Sequence, residues 1–174
     1  MLKPGDVAPD FDLPATVGTR TDRVILARQK AEMVVLFFYP KDFSFVCPTE
    51  VKGFQRMLAD FAAEKTQVIG VSCDTVATHL EWVRELGGID FPLVSDEGGK
   101  LARSYGAMDE REGVALRATF ILDSKRQVLY CVASNANVGR SVHETLRVVQ
   151  ALRSGRMCPA DWKPVAETAA PGNG

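Results

Sequence analysis

The chain has 174 residues, 46% hydrophobic and 25% charged, with a formal net charge of -1. That length suits one domain able to bury its own core, and a near-neutral charge leaves no electrostatic footprint for nucleic acid, so no nucleic-acid partner is expected. No apolar run approaches the roughly 20 residues of a membrane span, and Met1-Leu2-Lys3-Pro4-Gly5-Asp6 lacks the basic and apolar regions of a secretory signal, so a cytoplasmic protein that avoids membranes is expected.

Residues 1–30 are rich in Pro, Gly, Asp and Thr around short apolar pieces such as Phe11-Asp12-Leu13-Pro14, and read as turns and short edge strands. Met33-Val34-Val35-Leu36-Phe37-Phe38-Tyr39 is a continuous apolar run closed by Pro40, which predicts a central strand buried on both faces. From Pro48 onward Val51, Phe54, Leu58, Phe61 and Ala62 recur at helical spacing and predict one amphipathic helix. Val68 to Ser72 predicts a second buried strand; Leu80, Val83 and Leu86 then share one face of a helix opened by Asp74 or Thr78. Phe91 to Val94 reads as a short strand and Gly99 to Tyr105 as a short helix. Ala118 to Leu122 and Gln127 to Ala133 read as a hairpin turning at Asp123-Ser124-Lys125-Arg126. Val142 to Leu152, with Leu146, Val149 and Leu152, predicts a last amphipathic helix.

This alternation predicts an α/β domain over residues 1–155, a central mixed β-sheet flanked by helices in the layout of a thioredoxin-like fold. Beyond Gly155 the periodicity fades, and residues 156–174 read as a mobile C-terminal tail.

The four cysteines, Cys47, Cys73, Cys131 and Cys158, stand far apart with no C-x-x-C and no clustered His, which excludes zinc-ribbon and dithiol patterns. Individual thiol chemistry is what remains. Cys47 lies between the first buried strand and a helix starting near Pro48, a residue suited to the first helical position. The unpaired N–H groups and positive dipole end there favour thiolate over thiol, and the thiolate is the nucleophile. The ordinary alternative is a small buried residue, and this is the expectation for Cys73 and Cys131 in their apolar runs. His79 and His143 fall on predicted helices with no ligand spacing or acid partner nearby, so packing or solvated roles are expected. Gly98-Gly99-Lys100 lacks the upstream glycine of a phosphate loop, and no metal or nucleotide cofactor is expected.

Pro40-x-x-x-Ser44-x-x-Cys47 resembles the P-x-x-x-[T/S]-x-x-C motif of peroxiredoxins. The surrounding Phe38-Tyr39-Pro40-Lys41-Asp42-Phe43-Ser44-Phe45-Val46-Cys47-Pro48-Thr49-Glu50 is similar to the typical two-cysteine class and to the peroxidase subunit of alkyl hydroperoxide reductase. Arg117-Ala118-Thr119-Phe120, Val138-Gly139-Arg140-Ser141 and Cys158-Pro159-Ala160-Asp161-Trp162-Lys163 extend the resemblance over about residues 4 to 165. Ser44 departs from the usual Thr; it keeps the hydroxyl and loses the methyl that restricts the rotamer.

The resemblance implies a thiol peroxidase that reduces hydrogen peroxide and organic hydroperoxides. Cys47 would be the attacking thiol, with the Ser44 hydroxyl, the Arg117 guanidinium and nearby backbone N–H groups as donors, Pro40 screening the pocket, and Glu50 paired with Arg140. Cys158 would resolve the resulting sulfenic acid from the partner subunit of a homodimer, with five dimers forming a decamer; the sequence itself leaves an intrachain bond equally open. Thioredoxin or a flavoprotein disulfide reductase would supply electrons. Gly87-Gly88-Ile89-Asp90 stands where peroxide-sensitive relatives carry Gly-Gly-Leu-Gly, and no aromatic residue follows Trp162, which implies resistance to sulfinic acid formation. Two other classes remain in view. One is an oligomeric holdase chaperone; the other is a disulfide oxidoreductase, disfavoured by the missing C-x-x-C and by Thr119 where that family keeps a cis proline.

Overall fold

The computed structural model describes residues 1–165. Nine strands run in chain order: β1 (Asp12–Val17), β2 (Arg20–Ile25), β3 (Met33–Phe38), β4 (Thr66–Ser72), β5 (Leu93–Ser95), β6 (Met108–Asp109), β7 (Val114–Ala115), β8 (Arg117–Asp123) and β9 (Val128–Ser134). The α-helices are α1 (Cys47–Arg56), α2 (Leu58–Ala63), α3 (Val76–Glu85), α4 (Lys100–Ser104) and α5 (Val142–Ser154). Seven strands form one sheet in the order β2-β1-β5-β4-β3-β8-β9, parallel from β5 through β3 and antiparallel elsewhere. This is the mixed α/β sheet expected from the alternation. β6 and β7 form a separate two-stranded ribbon that no hydrophobic pattern announces.

β3 is buried along its whole length because each face has its own packed layer. Val34, Leu36 and Phe38 enter one cluster with Ala8, Phe11, Leu101 of α4, Tyr105 and Phe120. Met33, Val35, Phe37 and Tyr39 enter the other, beneath Val51 and Phe54 of α1, Phe61 of α2, Trp82 of α3 and Val149 of α5. Residues alternate between faces with the strand period of two, so an unbroken apolar run is what a doubly covered strand requires.

Two helices differ from the sequence reading. The helix expected from Pro48 through Ala62 is broken at Met57, whose ψ of 9° leaves the helical range, yet the Phe54 and Phe61 rings still pack 5.8 Å apart across the break. On α3 the buried face is His79, Trp82 and Val83, with Leu80 and Leu86 only half-buried, so the helix is rotated towards the histidine. Its N-cap is Thr75, whose hydroxyl oxygen accepts from the Thr78 N–H, in place of the expected Asp74 or Thr78.

Gly70 in β4 shows how closely the layers approach: a Cβ there would stand 2.8 Å from Phe37 Cζ and 2.9 Å from Leu93 Cδ2. Residues 156–165 carry no helix or strand and lie along α5, where Arg147 Nη1 donates to the Trp162 carbonyl at 3.0 Å. The rest of the expected tail, residues 166–174, lies outside the described residues.

Candidate active site

The chain leaves the sheet at the carboxyl end of β3, runs through residues 39–46, and enters α1 at Cys47. Cys47 is itself the first helical residue, one position earlier than the expected start, with Pro48 behind it in the first turn. Val46 at the N-cap offers no side-chain acceptor. Ser44 supplies one instead: its Oγ accepts the Cys47 N–H at 3.3 Å. The Ser44 hydroxyl is thus an acceptor towards the helix start, and its own hydrogen stays free to donate.

β8 runs antiparallel to β3 with Ala118 opposite Phe38, which stands Arg117 beside the exit of β3. Arg117 is 2% exposed, and its Nη1 lies 3.5 Å from Cys47 Sγ and 2.8 Å from Glu50 Oε2. The Arg117 Nε and Nη2 both donate to the Ala136 carbonyl, at 3.2 and 2.7 Å. All three guanidinium nitrogens are thereby committed, which holds its plane against rotation.

Glu50, one turn into α1, joins the two arginines. Besides Arg117 it accepts from the Arg140 backbone N–H at 2.7 Å, Nε at 3.1 Å and Nη2 at 2.7 Å. Arg140 Nη1 also donates to the carbonyls of Phe38 and Ala118, at 2.7 and 2.8 Å, riveting the ends of β3 and β8 to the helix. Burial by itself pushes the Glu50 carboxyl up, but the hydrogen bonds and charge of Arg140, with Arg117 behind them, hold it below the usual glutamate range. Two guanidiniums face one carboxylate here, which leaves one positive charge in excess beside Cys47.

The AhpC/TSA family model matches residues 4–131. The chain belongs to this family and is a peroxiredoxin. It is 42% identical over 171 residues to peroxiredoxin 2 of Drosophila melanogaster, covering 92% of this chain and 88% of that one. Its fold is similar to Mycobacterium tuberculosis AhpC, with a TM-score of 0.85 and 32% identity over 94% of this chain and 99% of the other. A reduced 2-Cys peroxiredoxin of Plasmodium vivax matches with a TM-score of 0.84 and 31% identity, covering 92% and 89%. The resemblance read from the sequence is thereby borne out, and with it the enzyme class: peroxiredoxins are peroxidases.

Of the residues singled out in this peroxiredoxin's sequence, Ser44, Cys47, Glu50, Arg117 and Arg140 come together, and half-buried Pro40 opens the loop that carries Cys47. Cys158 does not join them. Its sulfur lies at the far end of α5, within 3.8 Å of the Ala151 carbonyl and 3.5 Å of Ser154 Oγ. Arg140 adjoins the other end of that helix, and at 1.5 Å per residue the stretch from Ser141 to Ala151 spans about 15 Å.

Cys73 and Cys131 are half-buried rather than enclosed, and burial pushes the Cys73 thiol up, away from reactivity. His79 needs a larger correction. It is fully buried, and its Nδ1 lies 2.6 Å from Asp42 Oδ2, an acid partner on the loop 37 residues away. Its place at i−3 and i−4 from Trp82 and Val83 was the available signal, because a histidine on the apolar face of a helix must find a partner. Among the described residues no three His, Cys, Asp or Glu side chains gather as a metal site, and no helix is long and apolar enough to cross a membrane.

Proposed function

We propose that this peroxiredoxin reduces hydrogen peroxide and organic hydroperoxides through Cys47. The observation that carries the reading is the Arg117 Nη1 donor 3.5 Å from Cys47 Sγ at a helix start. The thiolate attacks one peroxide oxygen, an S–O bond forms as the O–O bond breaks, and the departing oxygen leaves as water or an alcohol after taking a proton. Charge spreads along the O–O axis in that step, so fixed donors beside the sulfur stabilise the transition state more than the ground state. Arg117 is one such donor and the free Ser44 hydroxyl hydrogen a second, while Pro40 screens the pocket. Glu50 and Arg140 hold Arg117 in place.

Cys47 sulfenic acid then condenses with Cys158, releasing water. The length of α5 between the two thiols in one chain favours Cys158 of a second copy as the resolving partner. β9 is an edge strand with half-buried Leu129, Tyr130 and Cys131, a surface suited to pairing with its counterpart in a homodimer. Phe43 and Phe45, 49% and 95% exposed on the Cys47 loop, offer a separate apolar face through which five dimers close into a decamer. Thioredoxin or a flavoprotein disulfide reductase reopens the disulfide, in the cytoplasm.

The test is peroxide consumption coupled to NAD(P)H oxidation with each candidate reductase. Cys47→Ser abolishes turnover with both peroxide classes if the reading holds. Undiminished consumption by that variant, or a wild type active only in preventing aggregation of unfolded clients, overturns it in favour of a holdase.

A further inference from the structure

β9 ends at Ser134, the residue opposite Arg117 in the β8–β9 register, and the chain then turns through Asn135, Ala136, Asn137 and Val138 on its way to Arg140. Those four residues are exposed, so the turn takes its shape from hydrogen bonds and not from burial. The Val138 N–H donates to the Asn135 carbonyl at 2.9 Å, which closes a β-turn over residues 135–138. Ser134 Oγ donates to the Val138 carbonyl at 3.0 Å, and the Asn137 N–H donates to Asn135 Oδ1 at 2.9 Å.

That last bond falls on the amide that matters to the site. The Asn137 N–H and the Ala136 carbonyl belong to one planar trans peptide unit and point in opposite directions. Asn135 Oδ1 holds one end of the plane. The other end is the carbonyl that accepts from Arg117 Nε and Nη2 at 3.2 and 2.7 Å. This is also the central amide of the turn, the unit that rotates by about 180° when a type I turn becomes type II. Neither Ala136 nor Asn137 takes a positive φ, so the turn is not of type II. Rotation would carry Asn137 into the left-handed region, which asparagine tolerates better than most residues with a side chain, so its own backbone offers little resistance. After rotation an N–H would face the guanidinium. Arg117 would then keep only its bond to Glu50 through Nη1, the nitrogen that also faces Cys47 Sγ.

We propose that Asn135 is a positioning residue for the peroxidase reaction: by holding the N–H of the Ala136–Asn137 amide, its side chain keeps that amide's carbonyl on Arg117 and so keeps the guanidinium aimed at Cys47. This rests on the Cys47 reading above. The effect of Asn135 passes through Arg117 alone.

The experiment compares wild type with Asn135→Ala, which removes the acceptor, and Asn135→Asp, which keeps an oxygen in its place. Phenylglyoxal labelling of Arg117 in the reduced protein, read by peptide mass spectrometry against labelling of Arg140, reports how firmly the guanidinium is held. Stopped-flow oxidation of Cys47 by hydrogen peroxide gives the rate, in wild-type and Arg117→Ala backgrounds. For Asn135→Ala, Arg117 labelling is expected to rise relative to Arg140 and the oxidation rate to fall, each by at least threefold, with Asn135→Asp closer to wild type in both. In the Arg117→Ala background Asn135→Ala is expected to change the rate by less than twofold, because a residue acting through Arg117 has nothing left to position. The proposal is overturned if either change falls short of threefold, if Asn135→Asp lies closer to Asn135→Ala, or if Asn135→Ala lowers the rate twofold or more without Arg117. Should Asn135→Ala fail to fold, Asn137→Gly, which eases the rotated form, replaces it with the same expected directions. Labelling uses no peroxide, so a wild type inert to peroxide sinks the Cys47 reading while the hold of Asn135 on Arg117 is still decided.

Discussion

Arg117 Nη1 and Cys47 Sγ meet at 3.5 Å across 70 residues of chain, and the same nitrogen reaches Glu50 at 2.8 Å. One donor therefore faces both the sulfur and the carboxylate that steadies it. Under the proposed chemistry, replacing Arg117 with Ala takes a fixed donor from beside the sulfur, and the expected fall in rate is about 10²–10³-fold. Arg117→Lys keeps the charge but forfeits the fork that grips Ala136, so only a minor part of the rate returns. Stopped-flow measurement of Cys47 oxidation reads both.

Glu50→Gln leaves two buried guanidiniums facing each other without a counter-charge. Breaking a buried pair in this way costs about 3–5 kcal/mol, read as a lower urea midpoint.

The same carboxyl makes part of the stability depend on pH. Because its folded value is held below the ordinary 4.5, Glu50 contributes stability that is complete above 4.5 and lost as pH falls through the lowered folded value. Urea titrations between pH 3 and 6 are expected to show a steeper acid loss in wild type than in Glu50→Gln.

Cys158→Ser is expected to consume a first equivalent of peroxide at wild-type speed, form no disulfide-linked dimer on a non-reducing gel, and accumulate Cys47 sulfinate as a second equivalent is consumed. Disulfide formation by that variant would remove Cys158 from the cycle.

Gly70→Ala drives a methyl group into Phe37 and Leu93. Both belong to the packed core, so the substitution is expected to cost about 1–3 kcal/mol in denaturant unfolding, with the peroxide rate of the folded enzyme unchanged.

Much of this was legible from side chains alone. An unbroken apolar run marked β3 because burial on both faces demands it, and Asp123 to Arg126 marked the turn of the β8–β9 hairpin because those residues suit turns. Glu50, Arg117 and Arg140 were recognised as types, although the contact of Glu50 with Arg117 as well as Arg140 appears only in three dimensions. Two contacts of the site could not be read from the sequence, although the helical position of His79 pointed to a buried partner. Ala136 holds Arg117 through a backbone carbonyl, which every residue possesses, and the Asp42–His79 pair joins a loop to a helix through tertiary packing that no local period encodes. The β1–β5 pairing was equally hidden, because it joins strands far apart in the chain.

The order of the site along the chain has a consequence during synthesis. Cys47 leaves the ribosome long before Arg117 and Arg140 exist, and Arg117 takes its place only once β8 has paired with β3. A nascent or half-folded chain thus carries Cys47 without the guanidinium that faces its sulfur in the folded protein. Completion of the sheet is the event that brings the two together.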